Sequence, residues 1–236
     1  MSRRRWIADE VCGNRAALTG EHAEHLSRVL RARVGQEFEI ATGENVRRGC
    51  ITRIDPDQIE FELGDEITTA TAPDVTLGLS IFKFDRMEWA IEKCTELGAT
   101  RIVPVIASRT ETHLAAAASK RVERWQRIAL QASEQSRRNS PPKIDQPMKL
   151  TAAVALPGTI RIVLAESEQQ TKLKDVLHTH STREIVLAFG PEGGWTQSEL
   201  ELFRDAGWIS ASLGNTILRV ETAAIAALAV TLSELA

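Results

Sequence analysis

The sequence has few cysteines, and this scarcity argues against a protein that disulfide bonds or bound zinc hold together. Of its 236 residues only three are cysteine, Cys12, Cys50 and Cys94, and no CxxC pair occurs. An odd number of widely spaced cysteines disfavours both a disulfide framework and a zinc site. A reducing cytoplasm is therefore the expected compartment.

The chain also lacks a long apolar run. Its longest apolar stretch, Ala223 to Val230, is far shorter than the ~20 residues that span a bilayer. The first six residues, MSRRRW, are basic, but no apolar segment follows them, so we expect no secretory signal. The sequence predicts a soluble protein with no membrane partner.

Charge is nearly balanced over the whole chain but uneven along it. The formal net charge is −3, from 29 basic and 32 acidic side chains, which argues against a nucleic-acid binder that is basic overall. Four arginine clusters could still contact phosphates: Arg3-Arg4-Arg5, Arg28 with Arg31 and Arg33, Arg47-Arg48, and Arg137-Arg138. A single arginine cluster is more often ordinary solvated surface. Four clusters in one chain make nucleic acid a plausible partner.

The first 70 residues have the pattern of short β-strands. Apolar and polar residues alternate with period 2 in three segments, which are separated by the turns Gly43–Asn45 and Asp55–Asp57. The predicted strands are Glu37–Ala41, Gly49–Ile54 and Gln58–Leu63. A helical segment, Glu21–Leu30, precedes them. We therefore predict a small β-barrel domain over residues 1–70.

After Pro73, predicted strands and helices alternate. The strands are Val75–Phe82, Arg101–Ile106, Ile160–Ala165, Glu184–Phe189 and Trp208–Leu213. The helices are Arg86–Leu97, Lys120–Arg138 with Ser119 as its cap, Leu173–His178, a helix between Thr196 and Gly207, and Val220–Leu235. Thr196 and Glu199 have the spacing of a capping box. Such alternation predicts an α/β domain over residues 74–236, whose parallel sheet is covered on both faces.

Two glycine-centred turns follow the last two predicted strands. The first has the sequence FGPEGGW over Phe189–Trp195, and the second begins at Leu213-Gly214-Asn215 and leads into the last helix. Glycines at the carboxyl ends of parallel strands let the backbone approach a ligand and present its N–H and C=O groups. Two such turns suggest one pocket with two walls.

Neither turn is a familiar phosphate loop. A P-loop needs GxxxxGK[ST], but Gly190–Trp195 supplies no lysine, and no GxGxxG fingerprint occurs. Glu192 would repel a pyrophosphate, whereas it could attract a cationic ligand or orient a polar one. Apolar Leu213, Ile217 and Leu218 beside Gly214 suggest walls for a flat, adenine-like ring that backbone groups recognise.

These turns belong to a wider resemblance. Gly190–Trp195, Glu199, Leu213–Asn215 and Ile217–Ala223 resemble motifs of the RsmE-type ribosomal RNA uridine-N3 methyltransferases of the SPOUT superfamily. The similarity covers nearly the whole chain, and its further segments are Phe84–Glu88 with Lys93 and Glu96–Gly98, Trp125 to Asn139, and His25–Arg31. The GPEGG turn and the LRVETA segment at this spacing are specific. One departure is Ser136, where relatives often carry cysteine.

The resemblance implies a fold, a cofactor and partners. Residues 74–236 would form a trefoil-knotted SPOUT methyltransferase domain that binds S-adenosylmethionine in the knot, and residues 1–70 a PUA-like β-barrel that grips RNA. The enzyme would be a cytoplasmic homodimer that methylates N3 of one uridine in 16S rRNA of the small ribosomal subunit. No metal is expected, because His22 and His25 have no evident partners and are better explained as surface histidines.

Methylation of uridine N3 sets chemical demands on the site. The base must be splayed out, the anion that develops on its oxygens needs donors, and a group must take the N3 proton. The guanidinium of arginine suits the donor role because it is planar and stays charged. The candidate catalytic residues are Arg138 and Arg219 as such donors, Asn139 as a neutral donor to the base edge, and Glu221 as proton acceptor or orienter of an arginine, with Glu192 as the alternative acceptor.

Two further sets of candidates complete the predicted site. The cofactor-binding residues would be Leu164, Ala165, Gly190, Glu192, Gly193, Gly194, Leu213, Gly214, Ile217 and Leu218. The RNA-binding residues would be Arg4, Arg28, Arg31 and Arg33. Structural alternatives stay open, since Glu221 could simply favour the dipole of the last helix and Arg138-Asn139 could simply end the long one.

Two other functions also stay open. A noncatalytic rRNA-binding or ribosome assembly protein would show salt-sensitive RNA affinity without binding a cofactor. An α/β enzyme for another adenine-containing ligand, such as an adenylate, is disfavoured by the missing phosphate loop. Calorimetry with S-adenosylmethionine against ATP distinguishes the last case.

Overall fold

Two sheets, each with its own core, organise the chain in a computed structural model that describes residues 5–68, 73–179 and 182–235. The chain divides into two compact units, because most contacts between residues lie within one unit or the other. The first unit holds the described residues up to 68 together with Ser133–Ser140, and the second holds the remaining ones. Arg4, a candidate RNA-binding residue, lies outside the described residues.

The first unit is built on a six-stranded sheet. Its elements are β1 (Arg5–Ile7), β2 (Glu10–Cys12), β3 (Arg15–Thr19), α1 (Gly20–Glu24), a π-helix (His25–Val29), β4 (Glu37–Ala41), β5 (Val46–Ile54) and β6 (Gln58–Ile67). The strand order is β1-β4-β5-β6-β3-β2, and only the β1–β4 pair is parallel. In β6, Ile59, Phe61 and Leu63 are buried, which is the period-2 pattern that the sequence predicts.

The second unit is built on a parallel sheet. Its elements are β7 (Asp74–Ser80), α2 (Phe84–Leu97), β8 (Arg101–Ile106), α3 (Thr112–Ala117), a 3₁₀ turn (Ala118–Arg121), α4 (Val122–Gln135), β9 (Lys143–Ile144), β10 (Met148–Lys149), α5 (Leu150–Ala153), β11 (Ile160–Leu164), α6 (Leu173–His178), β12 (Glu184–Phe189), α7 (Gln197–Asp205), β13 (Ile209–Ala211) and α8 (Val220–Glu234). Within the described ranges, no helix has the length and apolar character needed to cross a membrane.

Both faces of the parallel sheet are buried, as the alternation of strands and helices predicts. In β12, Ile185, Leu187 and Phe189 belong to one apolar core, which includes residues of α2 and α8. The intervening Val186 and Ala188 belong to a second core, which includes Phe203 of α7. Successive side chains of a strand point to opposite faces, so the continuous apolar run of β12 serves two helical layers. The α/β fold class is confirmed.

The strand order places a third element between the two glycine turns. The order is β10-β8-β7-β12-β11-β13, with β9 paired to β8, and all of these pairs are parallel. Strand β11 therefore lies between β12 and β13, and the three strands end at the same edge. A pocket at this edge has a wall after β11 in addition to the two glycine turns. The trefoil knot implied by the resemblance stays a prediction.

The predicted bounds of the long helix, Lys120 and Arg138, are both wrong. Helical structure already begins with α3, and the 3₁₀ turn joins it to α4, so Ser119 is not a cap. Leu114, Ala118, Val122, Trp125 and Ala129 are all buried, which gives one apolar stripe across this junction. At the other end α4 stops at Gln135, and Arg137 has a positive φ of 60°, which cannot continue a right-handed helix.

Candidate active site

A cavity of about 260 Å³ opens at the carboxyl ends of β11, β12 and β13. Its lining comes mainly from residues 164–167, 189–195 and 211–218. Nine of the ten candidate cofactor-binding residues line it, and Glu192 is the exception. Its volume is near the lower end of small-molecule pockets, about 300 Å³. The structure thus brings these candidates together, while their cofactor role stays a prediction.

Trp195 joins two walls of this cavity. Its indole N–H donates a hydrogen bond of 3.0 Å to the carbonyl oxygen of Leu164, the last residue of β11. Its ring also packs against the backbone at Gly190, where an added Cβ would lie 3.3 Å from the indole Nε1 and Cε2 atoms. A Cβ at position 190 would therefore crowd the indole ring, so the packing of this tryptophan favours glycine there.

Gly194 makes the turn between these contacts possible. Its φ is +68°, in the left-handed region that side chains disfavour, and its N–H donates a 2.8 Å hydrogen bond to the carbonyl of Pro191. An added Cβ would lie 3.5 Å from the Glu166 carboxylate, an ordinary contact. The requirement for glycine at this position thus comes from the backbone conformation more than from crowding.

Glu199 anchors the start of α7 to the loop after β8. Thr196 and Glu199 form the predicted capping box, which is confirmed. The Glu199 carboxylate also accepts a 2.8 Å hydrogen bond from the backbone N–H of Ser108. Burial opposes the charged form, but the hydrogen bonds from Ser108 and Thr196 outweigh it and lower the pKa of Glu199. The buried carboxylate therefore holds two loops at this edge as a charged acceptor.

Arg109 is a cavity residue that the sequence did not reveal. It lies in the loop after β8, and its Nη1 donates a 2.5 Å hydrogen bond to the carbonyl of Gly193. An added Cβ at Gly193 would lie 3.2 Å from Cδ of Arg109. No local motif could have pointed to Arg109, because its partner lies 84 positions away in the sequence.

A charged cleft adjoins the cavity and contains two of the catalytic candidates. Arg86, Glu192, Arg219 and Glu221 line it. The Arg86 Nη1 lies 2.9 Å from the Glu192 carboxylate, and its Nε lies 3.8 Å from Oε1 of Glu221. Arg86 was not among the predicted site residues, although the segment Phe84–Glu88 contributed to the resemblance.

Glu221 is the buried member of this cleft. Only 6% of it is exposed, and its Oε2 has no hydrogen-bond partner among the described residues. It lies in the first turn of α8, whereas Arg219 is the exposed residue that precedes the helix. A buried carboxylate oxygen without a partner is costly for stability, which is typical of a group kept for function.

Arg138 and Asn139 lie in the Ser133–Ser140 segment of the first unit. The Arg5 guanidinium donates to the carbonyl of Arg137 at 2.6 Å and to Oδ1 of Asn139 at 3.1 Å. It is held in turn by the Glu39 carboxylate at 2.9 Å. Burial lowers the pKa of Arg138. A guanidinium only donates, so this contact requires the amide oxygen of Asn139 to face Arg5.

His22 is not the ordinary surface histidine that the sequence predicts. Its Nε2 lies 2.9 Å from the Glu134 carboxylate, and its Nδ1 lies 3.1 Å from that of Asp9. The hydrogen bond to Glu134 is the largest cause that raises its pKa to about 9, against the opposing effect of burial, and Asp9 adds to the increase. Within the described part of the chain, no cluster of side chains could hold a metal ion.

The remaining RNA-binding candidates follow one another on the surface of the first unit. Arg28 belongs to the π-helix and pairs with Glu24. Arg31 has a positive φ of 51°, and Arg33 is exposed two residues later. The structure thus places Arg28, Arg31 and Arg33 in one exposed segment, and their contact with RNA stays a prediction.

Comparisons with known proteins agree with this architecture. The model of the RNA methyltransferase domain matches residues 70–232, and that of the RNA methyltransferase PUA domain matches residues 18–64. A ribosomal RNA small subunit methyltransferase E from Synechocystis is 32% identical over 94% of this chain and 74% of its own length. The protein of the same name from Aquifex aeolicus is 31% identical over 93% and 95%.

A solved structure extends the likeness to three dimensions. The ribosomal RNA small subunit methyltransferase E from Neisseria gonorrhoeae, solved bound to S-adenosyl methionine, is 32% identical and superposes with a TM-score of 0.83. The superposition covers 97% of this chain and 96% of that one. The chain therefore belongs to the family of RNA methyltransferases with a PUA domain, in which its relatives include the ribosomal RNA small subunit methyltransferases E.

Proposed function

We propose that this protein methylates N3 of a specific uridine in 16S rRNA of the small ribosomal subunit, with S-adenosylmethionine as methyl donor. The observation that carries this proposal is the cavity at the ends of β11, β12 and β13, lined by the glycine turns of a methyltransferase family. The relatives' names and the S-adenosyl methionine bound to the Neisseria protein support the substrate and the donor. We place the reaction in the cytoplasm, where this RNA would be found.

The cavity fits the proposed cofactor. Apolar side chains of Leu164, Leu213 and Leu218 can cover an adenine-like ring, and the glycine turns let backbone groups approach it. Glu166 adds a carboxylate to the lining, which is compatible with a cationic ligand. When bound, S-adenosylmethionine supplies an electrophilic methyl group on a sulfonium.

Residues of the chain would then accept the N3 proton of the uracil and stabilise the negative charge that develops on its oxygens. In the charged cleft, Glu221 would accept the N3 proton, and Arg86 would hold its carboxylate in place. Arg219 and Arg138 would donate to the uracil oxygens as negative charge develops there. Asn139 would donate its amide N–H to the base edge. Glu192, already paired with Arg86, is the weaker candidate for the proton acceptor.

We also propose that the protein is a homodimer. Helix α8 carries charged residues only at Glu221 and Glu234, and its other side chains are apolar, small or hydroxyl-bearing. Helix α2 packs on α8 and exposes Trp89 by 47% and Leu97 by 40%. Exposed apolar surface of this kind favours burial against a second copy. Light scattering of the protein tests this, and a monomer at micromolar concentration would contradict it.

Mapping of 16S rRNA from cells that lack this protein tests the proposed reaction. We expect one N3-methyluridine to be lost in these cells, and to return when the unaltered gene is reintroduced. A Glu221→Gln variant should restore the protein level without the methyl group. If the base remains methylated in the deleted cells, the proposed function is wrong. A protein that binds rRNA but neither S-adenosylmethionine nor ATP would instead be a noncatalytic assembly protein.

A further inference from the structure

Two charged side chains line the cavity at the ends of β11, β12 and β13. They are Arg109 and Glu166, and the other described residues in the lining are uncharged. Glu166 comes two positions after the end of β11, so it belongs to the wall that the strand order adds to the two glycine turns. The charge of the cavity therefore depends on one cation and one anion.

Both side chains lie against the first glycine turn, at consecutive residues. A Cβ added at Gly193 would lie 3.2 Å from Cδ of Arg109, and one added at Gly194 would lie 3.5 Å from Oε1 of Glu166. Arg109 donates its hydrogen bond to the Gly193 carbonyl. Within the described ranges no ion pair joins Arg109 to Glu166, so the arginine does not neutralise the carboxylate.

Two other carboxylates near Glu166 already have partners. Glu192 is paired with Arg86 in the charged cleft, and Glu168 accepts two backbone N–H bonds, at 2.9 and 3.0 Å. Glu166 has no hydrogen bond or ion pair with any residue that the structure describes. An exposed carboxylate is ordinary on an open surface, whereas one in the wall of a cavity is available to a ligand.

Glu166 also lines the charged cleft. Among the described residues it is the one charged side chain that the cavity and the cleft share. The cleft contains Arg86, Arg219 and Glu221, the proposed contacts of the uracil. A methyl group that passes from a cofactor in the cavity to a base in the cleft must cross the boundary that Glu166 lines.

The proposed reaction changes the charge at this boundary. When the methyl carbon bonds to N3, its bond to sulfur breaks and the electron pair stays on sulfur, while the N3 proton goes to Glu221. A positive sulfonium thus becomes a neutral thioether, and a nearby carboxylate attracts only the sulfonium. We propose that Glu166 selects S-adenosylmethionine over its demethylated product, S-adenosylhomocysteine. This inference rests on the proposed function and names a specificity-determining residue of the same site.

Titration calorimetry in the absence of RNA measures this selection. The readout is the dissociation constant of S-adenosylhomocysteine divided by that of S-adenosylmethionine. Glu166→Gln should lose about tenfold in affinity for S-adenosylmethionine and less than about twofold for S-adenosylhomocysteine, so the ratio falls. Glu166→Asp keeps the charge and should retain most of the selection. Because the side chain is exposed, both variants should unfold at nearly the parent temperature.

Glu168 supplies a matched control in the same loop. Glu168→Gln removes a carboxylate two positions away that lines neither the cavity nor the charged cleft. The loss of its backbone hydrogen bonds would loosen the loop and weaken both ligands by the same factor. The ratio of the two dissociation constants should therefore stay at the parent value.

Two results would overturn the inference. Equal losses for both ligands in Glu166→Gln, or no loss for either, would mean that the carboxylate does not distinguish sulfonium from thioether. A single-turnover methylation rate that falls at least about a hundredfold at saturating S-adenosylmethionine would place Glu166 in the chemical step, because a charge that favours the sulfonium should not speed its loss. A parent protein that binds S-adenosylmethionine but methylates no uridine would contradict the proposed function alone, since the ratio would still be measurable.

Discussion

The indole of Trp195 is hydrogen-bonded to the backbone carbonyl of Leu164 at 3.0 Å, and this bond links the loop after β12 to the end of β11. The two residues are 31 positions apart in the sequence, and both line the cavity. Because the tryptophan ring also lies against Gly190, one side chain sets the separation of two walls. The width of the proposed cofactor site therefore depends on Trp195.

Replacement of Trp195 by phenylalanine should weaken S-adenosylmethionine binding by about tenfold. The change removes the N–H donor, and an unpaired buried acceptor costs ~1–3 kcal/mol. Titration calorimetry measures the effect. Trp208 provides a control, because its indole donates a similar 2.9 Å bond to Val154 but does not line the cavity. Trp208→Phe should reduce stability and leave the affinity unchanged, and equal affinities in both variants would contradict the role of Trp195.

Replacement of Gly194 by valine or alanine should abolish or strongly reduce S-adenosylmethionine binding. A non-glycine residue at a φ of +68° is strained by ~1–2 kcal/mol and would shift the turn. Gly13→Ala is the matched control, with a φ of +58° and open space around its Cβ. It should lower stability only, and wild-type affinity of the Gly194 variants would refute the assignment.

Replacement of Glu221 by glutamine should lower kcat by ~10²–10⁴-fold and leave the KM for RNA nearly unchanged. The amide keeps the size of the carboxylate, but it replaces one acceptor oxygen with an NH2 donor and cannot take the N3 proton. Glu192→Gln, at a more exposed carboxylate that also contacts Arg86, should reduce kcat less than tenfold. Single-turnover methylation assays measure both. Comparable losses in the two variants would mean that Glu221 only orients Arg86.

Replacement of Arg5 by lysine should lower kcat/KM for RNA by about tenfold without a change in S-adenosylmethionine affinity. A single ammonium cannot contact Glu39, the Arg137 carbonyl and Asn139 together, so the amide of Asn139 loses its fixed orientation. Methylation kinetics at varied RNA concentration measure the effect.

Arg47 of the same unit supplies a control for the Arg5 variant. Its guanidinium also makes three contacts, with the backbone carbonyls of Leu63 and Gly64 and with the side-chain oxygen of Asn14. Arg47→Lys should therefore cost similar stability and leave catalysis intact. If both lysine variants methylate RNA equally well, Arg5 has only a structural role.

Replacement of His22 by glutamine should destabilise the protein in a pH-dependent manner. The pKa of His22 rises from 6.5 to about 9 on folding, mainly through Glu134, so its stabilising contribution is complete below pH 6.5 and is lost as the pH rises through about 9. The difference in the free energy of unfolding between parent and variant, measured by chemical denaturation, should be large at about pH 6 and small at about pH 10. A difference that is independent of pH would contradict this linkage.

Local sequence patterns predicted many elements closely. The bounds of β4, β8, α6 and β12 agree with the predicted segments, and the Thr196–Glu199 capping box is present. These features depend on residues that are neighbours in the sequence. The sequence pattern did not predict the junction before α4. The apolar stripe that begins at Leu114 continues through the 3₁₀ turn, and no residue type in that turn indicates a break between two helices.

The sequence by itself determined the alternation of strands and helices, the two glycine turns and the residues that give the family its motifs, because periodicity and turn chemistry act over a few positions. Only the tertiary structure decided that β11 lies between those turns. It also decided that Arg109 donates a hydrogen bond to the Gly193 carbonyl, and that Arg86 donates one to the Glu192 carboxylate, 106 positions away. Contacts over such separations depend on strand order and packing, and no local pattern encodes them.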